Sequence, residues 1–121
     1  MSAAIVVGVA LLGGAGAVGR FVLDGTVTAR VGRAFPYGTL AVNLTGALAL
    51  GLLHGAGVGT DAIRLVGTGL LGAYTTFSTW AFESQRQAED GHTRGAFANL
   101  GISLVLGIAC AWLGRELGTA L

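Results

Sequence analysis

The stretch Gly69-Leu-Leu-Gly-Ala-Tyr-Thr-Thr-Phe-Ser-Thr-Trp80 decides the fold, because it places hydroxyl groups inside an apolar run. The uncharged run around it extends from Leu65 to Phe82, which is close to the roughly 20 residues that a helix needs to cross a bilayer. Irregular or polar backbone is tolerated at that depth only when it is buried in protein or lines a water-filled path. The stretch therefore indicates either an ion site on an interrupted membrane helix or a continuous helix packed through small residues. The hydroxyl residues are Thr75, Thr76, Ser78 and Thr79.

The composition of the 121 residues is that of a membrane protein. Hydrophobic residues make up 53% and charged residues only 11%, whereas an ordinary soluble domain carries about 25% charged residues. The 22 glycines suit helices that approach one another closely in a membrane. The net charge of +1, without any lysine, argues against nucleic-acid binding. The single cysteine, Cys110, cannot form an internal disulfide, and no Cys/His cluster suggests a zinc or iron site.

Four uncharged runs separated by short charged connectors predict an all-α membrane protein with four transmembrane helices. We expect a single transmembrane domain over 1–121, with helices at about 3–23, 36–54, 61–84 and 95–114. On the first of the two interpretations given above, the third helix is broken near the bilayer midplane. The first connector would contain Asp24, Arg30 and Arg33.

The arginines in the connectors favour one orientation only weakly. One side would carry Arg64 and Arg115, and the other Arg30, Arg33, Arg86 and Arg94. So small a bias permits insertion both ways round. Four helices are few for an ion path, and a polar groove facing lipid is costly. A second copy of the chain would cover such a groove.

Two polar residues inside the apolar runs each have two interpretations. Arg20 follows the glycines of the first run. It is either an anchor that reaches the headgroups or a fixed charge that attracts an anion at a pore mouth. Asn43 lies in the middle of the second run, where its amide either bonds to another helix or donates to a permeating anion. Thr39 lies four residues earlier and shares its face.

Aromatic and small residues mark the third and fourth runs. Phe77 and Trp80 are three residues apart and hence neighbours on a helical face. They are either ordinary packing partners or, through the positive edges of their rings, solvating groups for a small anion. In the fourth run, the small residues favour a helix–helix seam and the polar ones can extend a polar path. The stripe consists of Gly95, Asn99, Ser103, Gly107 and Ala111.

Taken together, these motifs resemble the Fluc (CrcB-type) fluoride channels over nearly the whole chain. The stretch from Gly69 to Trp80 is similar to the third-helix signature of that family, and Gly38-Thr-Leu-Ala-Val-Asn-Leu-Thr-Gly46 is similar to its second-helix signature. The resemblance implies an antiparallel, dual-topology homodimer in the cytoplasmic (inner) membrane. Such a dimer passes fluoride out of the cell passively, relieves fluoride toxicity and is not an enzyme.

The resemblance also implies roles for individual residues. Asn43 and Phe77 would line the pore, and Trp80 would occupy the position of a second pore phenylalanine. Arg20 would lie near an aqueous vestibule. The other polar pore positions would be Thr76, Ser78, Thr79 and Ser103.

One cofactor, a structural sodium ion at the dimer centre, is implied as well. Main-chain carbonyls of Gly72 and Thr75 from both subunits would hold it, and carbonyl oxygens suit a hard cation. The second subunit is either an identical chain or a diverged paralogue.

Three departures from the family pattern affect the pore and the helix break. Trp80 is bulkier than the usual phenylalanine, Asn99 stands where a tyrosine is common, and Ala73 replaces a frequent glycine. Two rival functions remain. A small dual-topology drug exporter would need a buried carboxylate in the first helix, which is absent. A non-transporting membrane subunit would need neither Asn43 nor the run of hydroxyls.

Overall fold

A computed structural model describes residues 1–121, and all of the regular structure is helical. In chain order, helix α1 spans Ala3–Val31, α2 spans Tyr37–Gly55, α3 spans 60–74, α4 spans Ser78–Glu89 and α5 spans Thr93–Thr119. Helices α1, α2 and α5 are long and apolar enough to cross a membrane by length and composition. Helices α3 and α4 follow one another as the two halves of the remaining, interrupted helix. The predicted all-α membrane fold is confirmed.

Three helices run further than the charge pattern predicts, and one of them is α4, which continues past residue 84 to Glu89. Helix α1 ends at Val31 rather than near residue 23, so Asp24 and Arg30 belong to the helix and not to a connector. Charged residues mark the end of the apolar surface, but they do not stop helical hydrogen bonding. The helix ends only at Gly32, whose φ of 83° is readily adopted by glycine alone. Helix α5 likewise continues past residue 114 to Thr119, because arginine and glutamate are good helix formers.

The middle of α3 is wound as a π-helix, which the sequence analysis did not anticipate. It covers Ile63–Leu71, and the N–H of Gly72 donates to the carbonyl of Gly67, five residues earlier. π-Helical turns are rare, mostly short, and frequent at functional sites. No feature of hydrophobic periodicity distinguishes such a segment from an α-helix, so no sequence pattern predicts it.

The helix break lies at residues 75–77, between α3 and α4. Thr75 has extended backbone angles (φ −80°, ψ 161°), and the chain becomes helical again at Ser78. The interruption therefore falls inside the predicted third helix of 61–84 and just after Gly72. It places the hydroxyl residues of the stretch at the break itself.

Glycines let the helices approach to backbone contact. A Cβ atom added to Gly51 would lie 2.2 Å from the carbonyl oxygen of Ala111, and one added to Gly114 would lie 2.1 Å from that of Leu48. Helices α2 and α5 thus share a glycine seam. Ala111 belongs to it, whereas Gly107 does not, since an added Cβ there meets nothing within 4 Å.

The subunit is thin, and little of its apolar surface is inside. Only Val42, Leu71 and Ala96 are buried hydrophobic residues. Most large apolar side chains, including Phe21 and Ile108, are exposed. Exposure of so much apolar surface to water would be unfavourable, but the surface can contact lipid or a further protein subunit.

Candidate functional site

Asn43 holds the helix break from the middle of α2. Its Nδ2 donates to the carbonyl oxygen of Thr76 over 2.9 Å, and the N–H of Thr76 donates to its Oδ1 over 2.8 Å. The amide thus supplies both hydrogen bonds that the backbone of Thr76 would find in a continuous helix. One turn later, a Cβ on Gly46 would lie 2.2 Å from Cγ2 of Thr75, so only glycine lets the break pass this close to α2.

The break leaves several main-chain carbonyls without their usual helical donors, among them those of Gly72 and Thr75. The N–H of Thr76, which would bond to Gly72, is taken by Asn43. The N–H of Thr79, which would bond to Thr75, donates instead to Oγ1 of Thr76 over 3.1 Å. The carbonyls of Gly72 and Thr75 are therefore free to bind a donor or a cation, and unpaired carbonyls at membrane depth are costly.

These groups surround a cavity of about 390 Å³, here called the break cavity. Phe77 is 75% exposed on its wall. Its ring meets that of Trp80 edge to face, with centroids 5.1 Å apart. The predicted site residues that line the break cavity are Asn43, Gly72, Thr75, Thr76, Phe77, Trp80 and Ser103.

A second cavity, of about 310 Å³, lies on the other side of Thr76 and is here called the arginine cavity. Arg20 lines it together with Asp24, Thr76 and Thr79. Arg20 is half-buried and makes no ion pair, since the one salt bridge of the chain joins Arg64 to Asp61. Its charge acts on the arginine cavity beside the opposite charge of Asp24, with which it forms no ion pair.

A third cavity, of about 490 Å³, opens at the polar end of α1 and α4 and is here called the outer cavity. It shares Asp24 and Thr79 with the arginine cavity, and it also contains Arg33, Arg86 and Glu83. The arginine cavity in turn shares Thr76 with the break cavity. The shared residues are here called the two junctions: Thr76 at the first, and Thr79 with Asp24 at the second.

Other residues have positions that the sequence did not indicate. Thr39 of α2 donates a hydrogen bond to Oε1 of Glu83 in α4. Ser78 is exposed and lines none of the three cavities. Asn99 is fully buried between α4 and α5, with 0% of its surface exposed, and does not face a polar path. Only the pairing of distant segments reveals such contacts.

Comparison with known proteins finds relatives over most of the chain. Residues 7–115 match the model of the family described as "CrcB-like protein, Camphor Resistance (CrcB)". The "Fluoride-specific ion channel FluC 2" of Mycobacterium bovis is 53% identical over 115 residues, which cover 95% of this chain and 91% of that protein. The protein of the same name from Mycolicibacterium paratuberculosis is 54% identical over 114 residues, 94% of this chain and 93% of the relative.

A more distant relative is similar over the same length. The "Fluoride-specific ion channel FluC 1" of Symbiobacterium thermophilum is 45% identical over 120 residues, covering 94% of this chain and 95% of the relative. All three relatives are named as ion channels and none as an enzyme or exporter. The family model and these relatives confirm the resemblance noted in the third-helix and second-helix motifs. The chain belongs to the CrcB-like family of membrane proteins.

Proposed function

We infer that this chain is the subunit of a fluoride-selective ion channel that exports fluoride passively across the cytoplasmic membrane. The observation that carries the inference is the break held by Asn43, whose cavity combines amide, hydroxyl and aromatic groups. The identity of the ion, fluoride, is inferred from the names of the relatives. The protein conducts and is not an enzyme, which agrees with the prediction from sequence.

The three cavities define the proposed fluoride path. Fluoride enters the outer cavity, passes the unpaired charge of Arg20 and crosses Thr76 into the break cavity. Selectivity requires that donors replace the water shell of this small ion. The hydroxyls of Thr79 and Thr76 mark the two junctions, and the ring edges of Phe77 can take over part of the solvation in the break cavity.

The proposed channel is an antiparallel homodimer. The break cavity contains free carbonyls and hydroxyls, and 75% of Phe77 is exposed at its wall. In a lone subunit these polar groups would face hydrocarbon, where unsatisfied groups cost several kcal/mol each. A second copy laid across the cavity would enclose them. The weak arginine bias between the two ends of the chain permits the opposite orientation of this copy.

The free carbonyls of Gly72 and Thr75 fit the proposed structural sodium ion. They lie at the end of α3, and the C-terminal ends of interrupted helices suit cations. No group of His, Cys, Asp or Glu side chains is arranged to hold a metal, so a cation here would rely on main-chain oxygens. When bound, the ion would be coordinated by the carbonyl oxygens of both subunits and would stabilise the break.

The proposed function is tested by fluoride efflux from liposomes that contain only the purified chain. Fluoride release is followed with a fluoride electrode, and chloride-loaded liposomes serve as the control. Fast release of fluoride without chloride would establish the channel and show that one gene product suffices. Absence of fluoride release from monodisperse protein would contradict the homodimeric channel and point to a diverged second subunit.

Replacing Arg20 with Gln should lower fluoride efflux about fivefold at low salt, because the arginine cavity loses its one positive charge and keeps the negative charge of Asp24. The difference from the unmodified chain should shrink as ionic strength rises, since salt screens charge. Arg30→Gln is the matched control, because Arg30 is an exposed residue farther along α1 and lines none of the three cavities. Equal loss in both variants would show that Arg20 is only an interfacial anchor.

Replacing sodium by a bulky organic cation should destabilise the dimer without unfolding the subunits. We expect dissociation in detergent at a lower temperature, measured by size-exclusion chromatography after heating. Returning sodium should restore the dimer, and potassium should restore it less well. A dimer whose thermal stability is indifferent to the cation would contradict a sodium site at Gly72 and Thr75.

A further inference from the structure

Trp80 is tied to α5 by hydrogen bonds that meet at one buried residue, Asn99. The indole Nε1–H donates to the main-chain oxygen of Asn99 over 3.1 Å. The side-chain amide of Asn99 returns to α4, where Nδ2 donates to Oγ of Ser84 over 2.8 Å. Oγ of Ser84 in turn donates to the carbonyl of Trp80 over 2.9 Å. The bonds form a closed ring between the two helices.

Burial makes this ring a strong constraint. Asn99 has 0% and Ser84 has 4% of its surface exposed. A buried amide that loses its partners pays the full cost of desolvation, so the contacts are kept whenever the helices are packed. The aromatic surface of Trp80, by contrast, lines the break cavity beside Phe77. One side of the tryptophan is therefore fixed in protein while its ring faces the proposed fluoride path.

The size of tryptophan explains why such a constraint matters. A tryptophan ring that is free to change rotamer can swing across a cavity of about 390 Å³. It would then block an ion or spoil the edge-to-face contact with Phe77. Fixing the Nε1–H also removes a strong donor that would otherwise bind an anion in the cavity and hold it there. Of Trp80 itself, only the ring edges then remain to contact fluoride.

We propose that Asn99 is a positioning residue of the channel, which together with Ser84 orients the ring of Trp80 in the fluoride path. Asn99 acts through Trp80 and does not itself contact the ion. This inference rests on the proposed function, but the orientation of Trp80 is measurable without any ion flux. It assigns a shared role to three residues, Trp80, Ser84 and Asn99.

The first test uses fluorescence. Replacing the exposed Trp112 with Phe leaves Trp80 as the single tryptophan of the chain. In that background, Asn99→Leu and the milder Ser84→Ala should each lower the steady-state anisotropy of Trp80 and shift its emission. Trp112→Phe alone is the reference. Unchanged anisotropy and emission in both variants would overturn the positioning role, even if the unmodified chain were to pass no fluoride.

The second test is a double-mutant cycle on fluoride efflux from liposomes. Asn99→Leu and Ser84→Ala keep the main-chain oxygen that accepts from the indole, but they break the side-chain bonds that hold α4 against α5 at this point. Each should therefore reduce efflux about fivefold, as expected for roughly 1 kcal/mol. In a Trp80→Phe background the same two changes should alter efflux less than about twofold, because there is no indole N–H left to hold. A mere packing role predicts equal losses in both backgrounds, and that outcome would overturn the proposal. If liposomes that contain the unmodified chain release no fluoride, the result contradicts the proposed function instead.

Discussion

Replacing Asn43 with Asp should reduce fluoride efflux by at least about 100-fold while leaving a folded, assembled protein. The carboxylate can still accept from the N–H of Thr76, but it cannot donate to the carbonyl of Thr76, which Nδ2 now contacts at 2.9 Å. An unpaired buried acceptor costs about 1–3 kcal/mol, and a fixed negative charge beside the path repels an anion. We expect the lost hydrogen bond and the charge repulsion together to raise the barrier to fluoride by about 3 kcal/mol. Each 1.36 kcal/mol is a factor of ten in rate, so this increase corresponds to somewhat more than about 100-fold.

The comparison with Asn43→Ala separates the two roles that the sequence left open. Alanine removes both bonds to Thr76 without adding a charge. If Asn43 only holds the break, both variants should lose efflux and dimer stability together. If it also faces fluoride, as its position on the wall of the break cavity suggests, Asn43→Asp should be several-fold slower than Asn43→Ala at similar stability. Unchanged efflux in Asn43→Asp would contradict a place for this residue on the path.

Replacing Gly114 with Ala should destabilise the subunit by about 3 kcal/mol, the upper part of the range for overpacking a well-packed contact. The added Cβ would lie 2.1 Å from the carbonyl oxygen of Leu48 and 3.0 Å from the N–H nitrogen of Leu52. Backbone atoms cannot move aside as a flexible side chain can, so α2 and α5 must separate. Because α2 carries Asn43, the break and its cavity would be disturbed as well. The measurement is thermal unfolding in detergent, together with the yield of monodisperse protein.

Gly101→Ala is the matched control for the glycine seam. Gly101 lies on the same helix, and a Cβ added there meets nothing within 4 Å. Alanine is the better helix former by about 1 kcal/mol, so this variant should be neutral or slightly more stable. If Gly114→Ala were as stable as Gly101→Ala, the close contact between α2 and α5 would not be needed for the fold.

Much of the architecture could be predicted from the sequence because it depends on local properties. Uncharged runs long enough for a bilayer predict helices. The hydroxyl residues between Leu65 and Phe82 left an interrupted and a continuous helix open, and the family resemblance favoured the interrupted one. Helix ends were harder to place. Asp24 was expected in a connector but lies in α1, because a helix ends where backbone hydrogen bonding stops and not where the lipid-facing surface ends.

The candidate site was predictable in its residue types but not in its contacts. The second-helix motif contains Asn43 and the third-helix motif contains Phe77 and Trp80, and all three residues line the break cavity. The role of Asn99 could not be found in the same way, because its partners Trp80 and Ser84 lie 15 or more residues away in sequence. In a stripe of residues spaced by four, an asparagine that is buried between two helices cannot be distinguished from one that lines a polar path.

By itself, the sequence determined that this protein is a bundle of membrane helices, one of which carries a polar stretch, since hydrophobicity and helix length act along the chain. Only the tertiary structure decided where the break opens and what holds it. The N–H and carbonyl of Thr76 leave their helix because Asn43 of another helix offers equal hydrogen bonds, and Gly46 makes room beside them. Such an exchange depends on two segments 33 residues apart meeting in space, which no local pattern specifies.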